Sequence, residues 1–106
     1  MRAGFMLKLK PGGLEEYKRK HDEIWPELVE ELARNGVRQV SIYAAGSSLF
    51  IYSEVDDEGS WETLWHTDIH LRWGAELEPY LELDADGAPD STDLREIFHV
   101  EPRLQT

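Results

Sequence analysis

The stretch from Leu49 to Val55 reads Leu-Phe-Ile-Tyr-Ser-Glu-Val and carries apolar side chains on both of its faces. Successive side chains of a strand alternate, so Leu49, Ile51 and Val55 fall on one side and Phe50 and Tyr52 on the other. A strand of this kind needs cover on both sides. The chain has 106 residues, enough for one domain with a single layer of helices over a sheet. One layer covers one face. The second face calls for a partner subunit, and that requirement limits what the whole chain can be.

The remaining elements fit around this strand. Phe5, Leu7 and Leu9 alternate with Met6, Lys8 and Lys10, a period of two that predicts a first strand, ended by Pro11-Gly12-Gly13. From Leu14 the period changes. Leu14, Tyr17, His21, Trp25, Leu28 and Leu32 keep the three- and four-residue spacing of one helical face. Pro26 has no amide for the Asp22 carbonyl, which predicts a kink or break between Asp22 and Trp25. Asn35-Gly36 is a helix stop. Val37 to Ala44 reads as a second strand, and Gly46-Ser47 turns it into the third. Ser60 is expected to cap a short helix holding Trp61, Leu64 and Trp65. Thr67 or Asp68 is expected to start another, with Ile69, Trp73, Leu77 and Tyr80 on one face. Leu83 to Asp93 has the composition of a solvated loop. Leu94 to Val100 is expected to be the last strand, with Ile97 and Phe98 at its centre, and residues 101–106 a flexible tail. The order β-α-β-β-α-β is the ferredoxin-like α+β pattern, an antiparallel sheet with helices on one face. With no repeat and no second domain in view, residues 1–106 are expected to form one unit.

Charge narrows the partners. Eleven Lys and Arg stand against 22 Asp and Glu, a net −11, which repels phosphate backbones and anionic membranes. No apolar run is long enough to span a bilayer. The absence of cysteine removes disulfide and thiol chemistry and fits a reducing cytoplasm.

The helical stripe carries the chemistry. Tyr17 and His21 are four residues apart, so their Cβ atoms lie roughly 6 Å apart on a helix and both rings can reach one small molecule. Histidine exchanges protons near neutrality. Such a face is either an unusual core or the wall of a pocket, and periodicity alone favours the core. Trp73 beside Arg72 offers an indole face for stacking a sugar and a guanidinium for its hydroxyls, although a core Trp beside a surface Arg has the same pattern. His66 and His70 have a zinc-compatible spacing, but Thr67-Asp68 reads as a helix start between them, which leaves two surface histidines and no metal site. No phosphate loop, dinucleotide fingerprint or nucleophile elbow is present.

His21-x-x-Ile24-Trp25-Pro26-Glu27-Leu28, preceded by Glu16-Tyr17, resembles the signature of the L-rhamnose mutarotases. Ile42-Tyr43, Leu49-Phe50, Thr67-Asp68, Arg72-Trp73 and Leu94 to Phe98 extend the resemblance in the same order from Phe5 to Val100. It implies a ferredoxin-like dimer, a dimeric α+β barrel, without metal or cofactor, which interconverts the α and β anomers of a monosaccharide. It further implies that His21 is the proton donor and that Tyr17 contacts the sugar, with Trp73 stacking on it and Arg72 reaching a hydroxyl. Val40 stands where the family carries a tyrosine, and Gly74 where it carries a second tryptophan. The resemblance implies L-rhamnose or a closely related deoxy-sugar as substrate, and the smaller residues at these two substrate-binding positions admit a larger one. Two other readings share the fold: a small dimeric oxygenase of the haem-degrading type, and a sugar-binding dimer without catalysis.

Overall fold

A computed structural model describes residues 1–104 and shows a four-stranded antiparallel sheet with helices packed on one face. The elements in chain order are β1 (Arg2–Lys8), α1 (Leu14–Asp22), α2 (Pro26–Arg34), β2 (Val37–Ala45), β3 (Ser48–Val55), α3 (Glu58–Trp65), α4 (Asp68–Leu77) and β4 (Ser91–Leu94), with a single 3₁₀ turn at Glu78–Tyr80. The strand order β2-β3-β1-β4 is the ferredoxin-like arrangement.

Of the kink or break expected between Asp22 and Trp25, the structure shows the break: the stripe is two helices. Trp25 adopts an extended backbone (φ −65°, ψ 129°), as the residue before a proline must, and Pro26 opens α2 at a position where its missing amide costs nothing. Gly36 follows α2 with φ +75°, the left-handed turn that ends many helices. Gly13 is demanded by contact: a Cβ there would meet the Tyr80 carbonyl oxygen at 2.8 Å, where the chain after α4 crosses the start of α1.

β3 alternates as its sequence dictates. Leu49, Ile51, Ser53 and Val55 are buried, while Phe50, Tyr52 and Glu54 are half-buried on the opposite side. The inner row packs Leu7, Leu49 and Ile51 against Tyr17, Leu28, Trp73 and Leu77 in one cluster, and Val37, Val55 and Leu64 form a second. The outer face, with Phe50 and Tyr52 flanked by Tyr43 in register with Phe50, has no helix over it.

Two expectations are corrected. Asp57, not Ser60, caps α3: its carboxylate accepts the Ser60 amide at 2.7 Å, and Ser60 lies in the first turn of a helix that starts at Glu58. The last strand is Ser91–Leu94, inside and just beyond the stretch read as loop, and residues 95–100 have no regular structure. The register explains the shortfall. β4 pairs with residues 4–7 of β1, and two positions beyond the last pair Arg2 and Glu96 are joined by a forked guanidinium–carboxylate pair at 2.9–3.3 Å in place of a ladder. The loop before β4 is also ordered: Leu81 bridges Leu9, and the Asp84 carboxylate accepts the amides of Asp86 and Ala88. Of the tail expected over 101–106, Gln105 and Thr106 lie outside the described residues.

Candidate active site

α1 and α4 bring four aromatic rings together over the inner face of the sheet. Tyr17 and His21 lie one turn apart on α1 with ring centroids 4.4 Å apart. His21 meets Trp73 of α4 edge-on at 5.2 Å, and Trp73 meets Trp25 in the same manner at 5.2 Å. Lys20 and Glu76 join the two helices beside these rings with an ion pair at 2.9 Å. Tyr17 is 4% exposed and Trp73 6%, while His21 is half-buried at the edge of the group.

The electrostatics follow from this placement. Burial alone pushes the Tyr17 phenol up to about 12, and no hydrogen bond contributes. The phenol is therefore a neutral donor across the physiological range. Burial also lowers the His21 pKa from the ordinary 6.5, against a smaller upward pull from the Tyr17 carbonyl and Asp22. His21 Nδ1 lies 2.8 Å from the Tyr17 carbonyl oxygen. A carbonyl only accepts, so Nδ1 carries the proton and the neutral ring presents Nε2 as a free base. A resting ring in this state takes a proton before it can give one.

The residues singled out in the sequence are distributed unevenly. Tyr17, His21 and Trp73 meet. Arg72 does not join them; it is exposed and pairs with Asp68 one turn back, because adjacent helical residues point about 100° apart. Gly74 is half-buried beside Trp73, and a Cβ there would meet nothing within 4 Å. Val40 lies on the helix-facing side of the sheet, in one row with Ser53 and Ala3, but is 42% exposed because β2 is an edge strand. Trp25, read in the sequence only as part of the helical stripe, is also a member of the ring cluster. Its place on the same helical stripe as His21 was the available signal.

His70 is not the surface residue its neighbourhood in sequence implied. It is half-buried against Trp65 at 4.6 Å, and Trp65 in turn touches Phe5 and Trp61. His66 is exposed in the turn between α3 and α4. No group of three or more metal-capable side chains occurs among the described residues.

The ferredoxin-like fold and the meeting of an imidazole, a high-pKa phenol and an indole on its inner face define a small α+β protein with proton-exchanging and aromatic groups gathered in one cluster. A sequence profile of L-rhamnose mutarotase matches residues 2–100. The L-rhamnose mutarotase of Oceanobacillus iheyensis is 37% identical over 102 residues, 94% of this chain and 98% of that one. The crystal structure of an L-rhamnose mutarotase from Formosa agariphila superposes with a TM-score of 0.82 at 31% identity, covering 95% of this chain and 99% of that one. A dimeric ferredoxin-like protein from an uncultured marine organism shares the fold, with a TM-score of 0.66 at 14% identity over 97% of both chains. The chain belongs to the L-rhamnose mutarotase family.

Proposed function

We propose that the protein is a mutarotase that interconverts the α and β anomers of L-rhamnose or a closely related deoxy-sugar. The observation that carries the reading is His21, whose Nε2 is left free by the hydrogen bond from Nδ1 to the Tyr17 carbonyl. Ring opening requires the anomeric O1–H proton to leave and the ring oxygen to be protonated as the C1–O5 bond breaks. Neutral His21 takes the O1 proton through Nε2, and the Tyr17 hydroxyl donates to O5. Rotation about C1–C2 turns the aldehyde, and closure reverses both transfers: O5 returns its proton, attacks the other face of C1, and His21 protonates O1. His21 is thus the proton donor of the closing step. This chemistry needs no redox step and no activated nucleophile. Trp73 supplies a wall for stacking, Gly74 and Val40 leave space beside it, and Arg72 reaches a hydroxyl only after leaving Asp68.

The same reading takes residues 1–106 as one working unit, a cytoplasmic homodimer acting on a monosaccharide. Support comes from the uncovered outer sheet face, the lack of cysteine, and the dimeric state of a protein with the same fold. No helix of the described residues is long and apolar enough to cross a membrane.

The test is NMR exchange between the two anomers of L-rhamnose, with L-fucose and common aldoses for comparison. Wild-type protein should accelerate exchange, and His21→Ala should remove an acceleration of about 10²–10⁴ while keeping the circular dichroism of the fold. Saturable sugar binding at the uncatalysed exchange rate would select the non-catalytic alternative.

A further inference from the structure

We infer that His70 is a specificity-determining residue of the same site, its imidazole holding a ring hydroxyl of the sugar across the open space at Gly74. The inference rests on the mutarotase reading above and adds a contact that reading does not use. His21 and Tyr17 act at O1 and O5, so the hydroxyl held by His70 is one away from the anomeric centre.

Placement comes from α4. His70, Trp73, Gly74 and Leu77 stand at i, i+3, i+4 and i+7, the positions of one helical face. Trp73 and Leu77 are buried in the core, and Trp73 is the residue that meets His21. His70 is therefore one turn from the stacking indole and one turn from Gly74. Side chains of a helix lean toward its N-terminus, so the volume a side chain at position 74 would take lies toward His70. A Cβ at Gly74 meets nothing within 4 Å. One turn rises about 5.4 Å, enough for a pyranose laid on Trp73 to bring a hydroxyl to the His70 ring.

The ring is braced but unsatisfied. It meets Trp65 edge-to-face with centroids 4.6 Å apart, and Trp65 is itself held edge-on by Phe5 of β1 at 5.6 Å and by Trp61 at 5.4 Å. These contacts hold the imidazole in place without engaging its nitrogens. His21 has the Tyr17 carbonyl on Nδ1. His70 has no hydrogen-bond partner among the described residues, and burial is the whole cause of its lowered pKa. Ser53 Oγ is the only fully enclosed side-chain polar atom without a partner among the described residues, so the His70 nitrogens are open to a molecule arriving from outside. A half-buried polar group is costly until something pairs with it. A neutral imidazole offers one donor and one acceptor, and a hydroxyl answers with the same pair in reverse. A charged ligand group would find no counter-charge in a neutral ring packed on an indole.

The test removes the nitrogens and keeps the ring. His70→Phe preserves an aromatic contact with Trp65. It should raise KM for L-rhamnose about tenfold in anomer exchange, the scale of one neutral hydrogen bond, with kcat within about twofold and an unchanged far-UV spectrum. His70→Gln, which keeps a donor and an acceptor, should recover part of that loss. Monodeoxy analogues of L-rhamnose locate the contact: for the one lacking the held hydroxyl, wild type and His70→Phe should share one KM. Wild-type protein labelled with ¹⁵N at histidine gives a readout independent of turnover. The imidazole signal missing from His70→Phe, or from His70→Gln if the phenylalanine variant does not fold, should move on saturation with L-rhamnose. An unmoved KM in folded His70→Phe, or a His70 signal that L-rhamnose leaves in place, overturns the assignment and makes His70 a packing residue. A His70 signal that moves while wild type exchanges anomers at the uncatalysed rate overturns the mutarotase reading alone. Wild type that neither binds nor accelerates any of the sugars overturns both.

Discussion

His21 donates through Nδ1 to the carbonyl of Tyr17, the residue that stacks beside it, at 2.8 Å. One helical turn thus fixes the tautomer of the imidazole and sets the phenol next to it. The backbone bond costs no second side chain, and it leaves the reactive nitrogen turned away from the helix.

The pH dependence follows from that tautomer. Burial lowers the His21 pKa below 6.5, and the proposed reaction begins from the neutral ring. Catalysed exchange should be constant above pH ~6.5 and fall only as pH drops through a lower value. Stability moves the same way. Between its folded and unfolded pKa values the unfolded chain binds the proton and the folded one does not, so stability is lost as pH falls below 6.5 and the loss is complete at the folded pKa. His70, also lowered by burial, adds in the same direction. A pH–rate profile beside urea unfolding at pH 5 and 7 checks both, and a rate that peaks below pH 6 would contradict the starting state.

Tyr17→Phe should separate chemistry from stability. The hydroxyl contributes no protein hydrogen bond to the Tyr17 environment, so its removal should leave unfolding free energy within about 1 kcal/mol of wild type. On the proposed mechanism this removes the donor to O5, and kcat should fall by about 10²-fold. Because the wild-type phenol titrates at about 12, no basic limb attributable to it should appear in the rate below pH ~11.

Ser53→Ala should stabilise the protein. Ser53 is 0% exposed, and its Oγ has no hydrogen-bond partner among the described residues. An unpaired buried hydroxyl costs about 1–3 kcal/mol, so losing it should raise the urea midpoint without changing its slope. A lowered midpoint would mean that the hydroxyl is engaged.

Gly74→Ala should raise the melting temperature. The residue is inside α4, where alanine is favoured by about 1 kcal/mol, and the added Cβ meets nothing within 4 Å. A rise of roughly 4 °C is expected by calorimetry.

Much of the fold was legible because its signals are local. The period-two run of β1, the 3.6-period stripe of α1 and α2, the break at Pro26 and the stop at Gly36 each depend on a few neighbouring residues. The end of β4 was not, since it depends on register with a strand some 90 residues earlier: Leu94 is the last residue opposite β1, and Arg2 meets Glu96 through side chains alone. The apolar run Ile97–Phe98 looks the same whether it is buried in a sheet or held out for a partner. In the site, Tyr17, His21 and Trp73 were readable as residues but not as a cluster, because nothing in the spacing says that α4 lies against α1. Arg72 is next to Trp73 in sequence but pairs with Asp68 outside the cluster, because sequence neighbours on a helix face different ways. His70 was missed because its partner Trp65 lies across a helix boundary.

Gly74 has a consequence for how such a protein can change over generations. The helix forgoes the alanine advantage at a position where an added Cβ would meet nothing within 4 Å. A single codon can therefore fill that space without disturbing its neighbours, and the smaller replacements also firm up the helix. On the proposed reading, selectivity and robustness are free to drift together here, where in most binding sites they oppose each other.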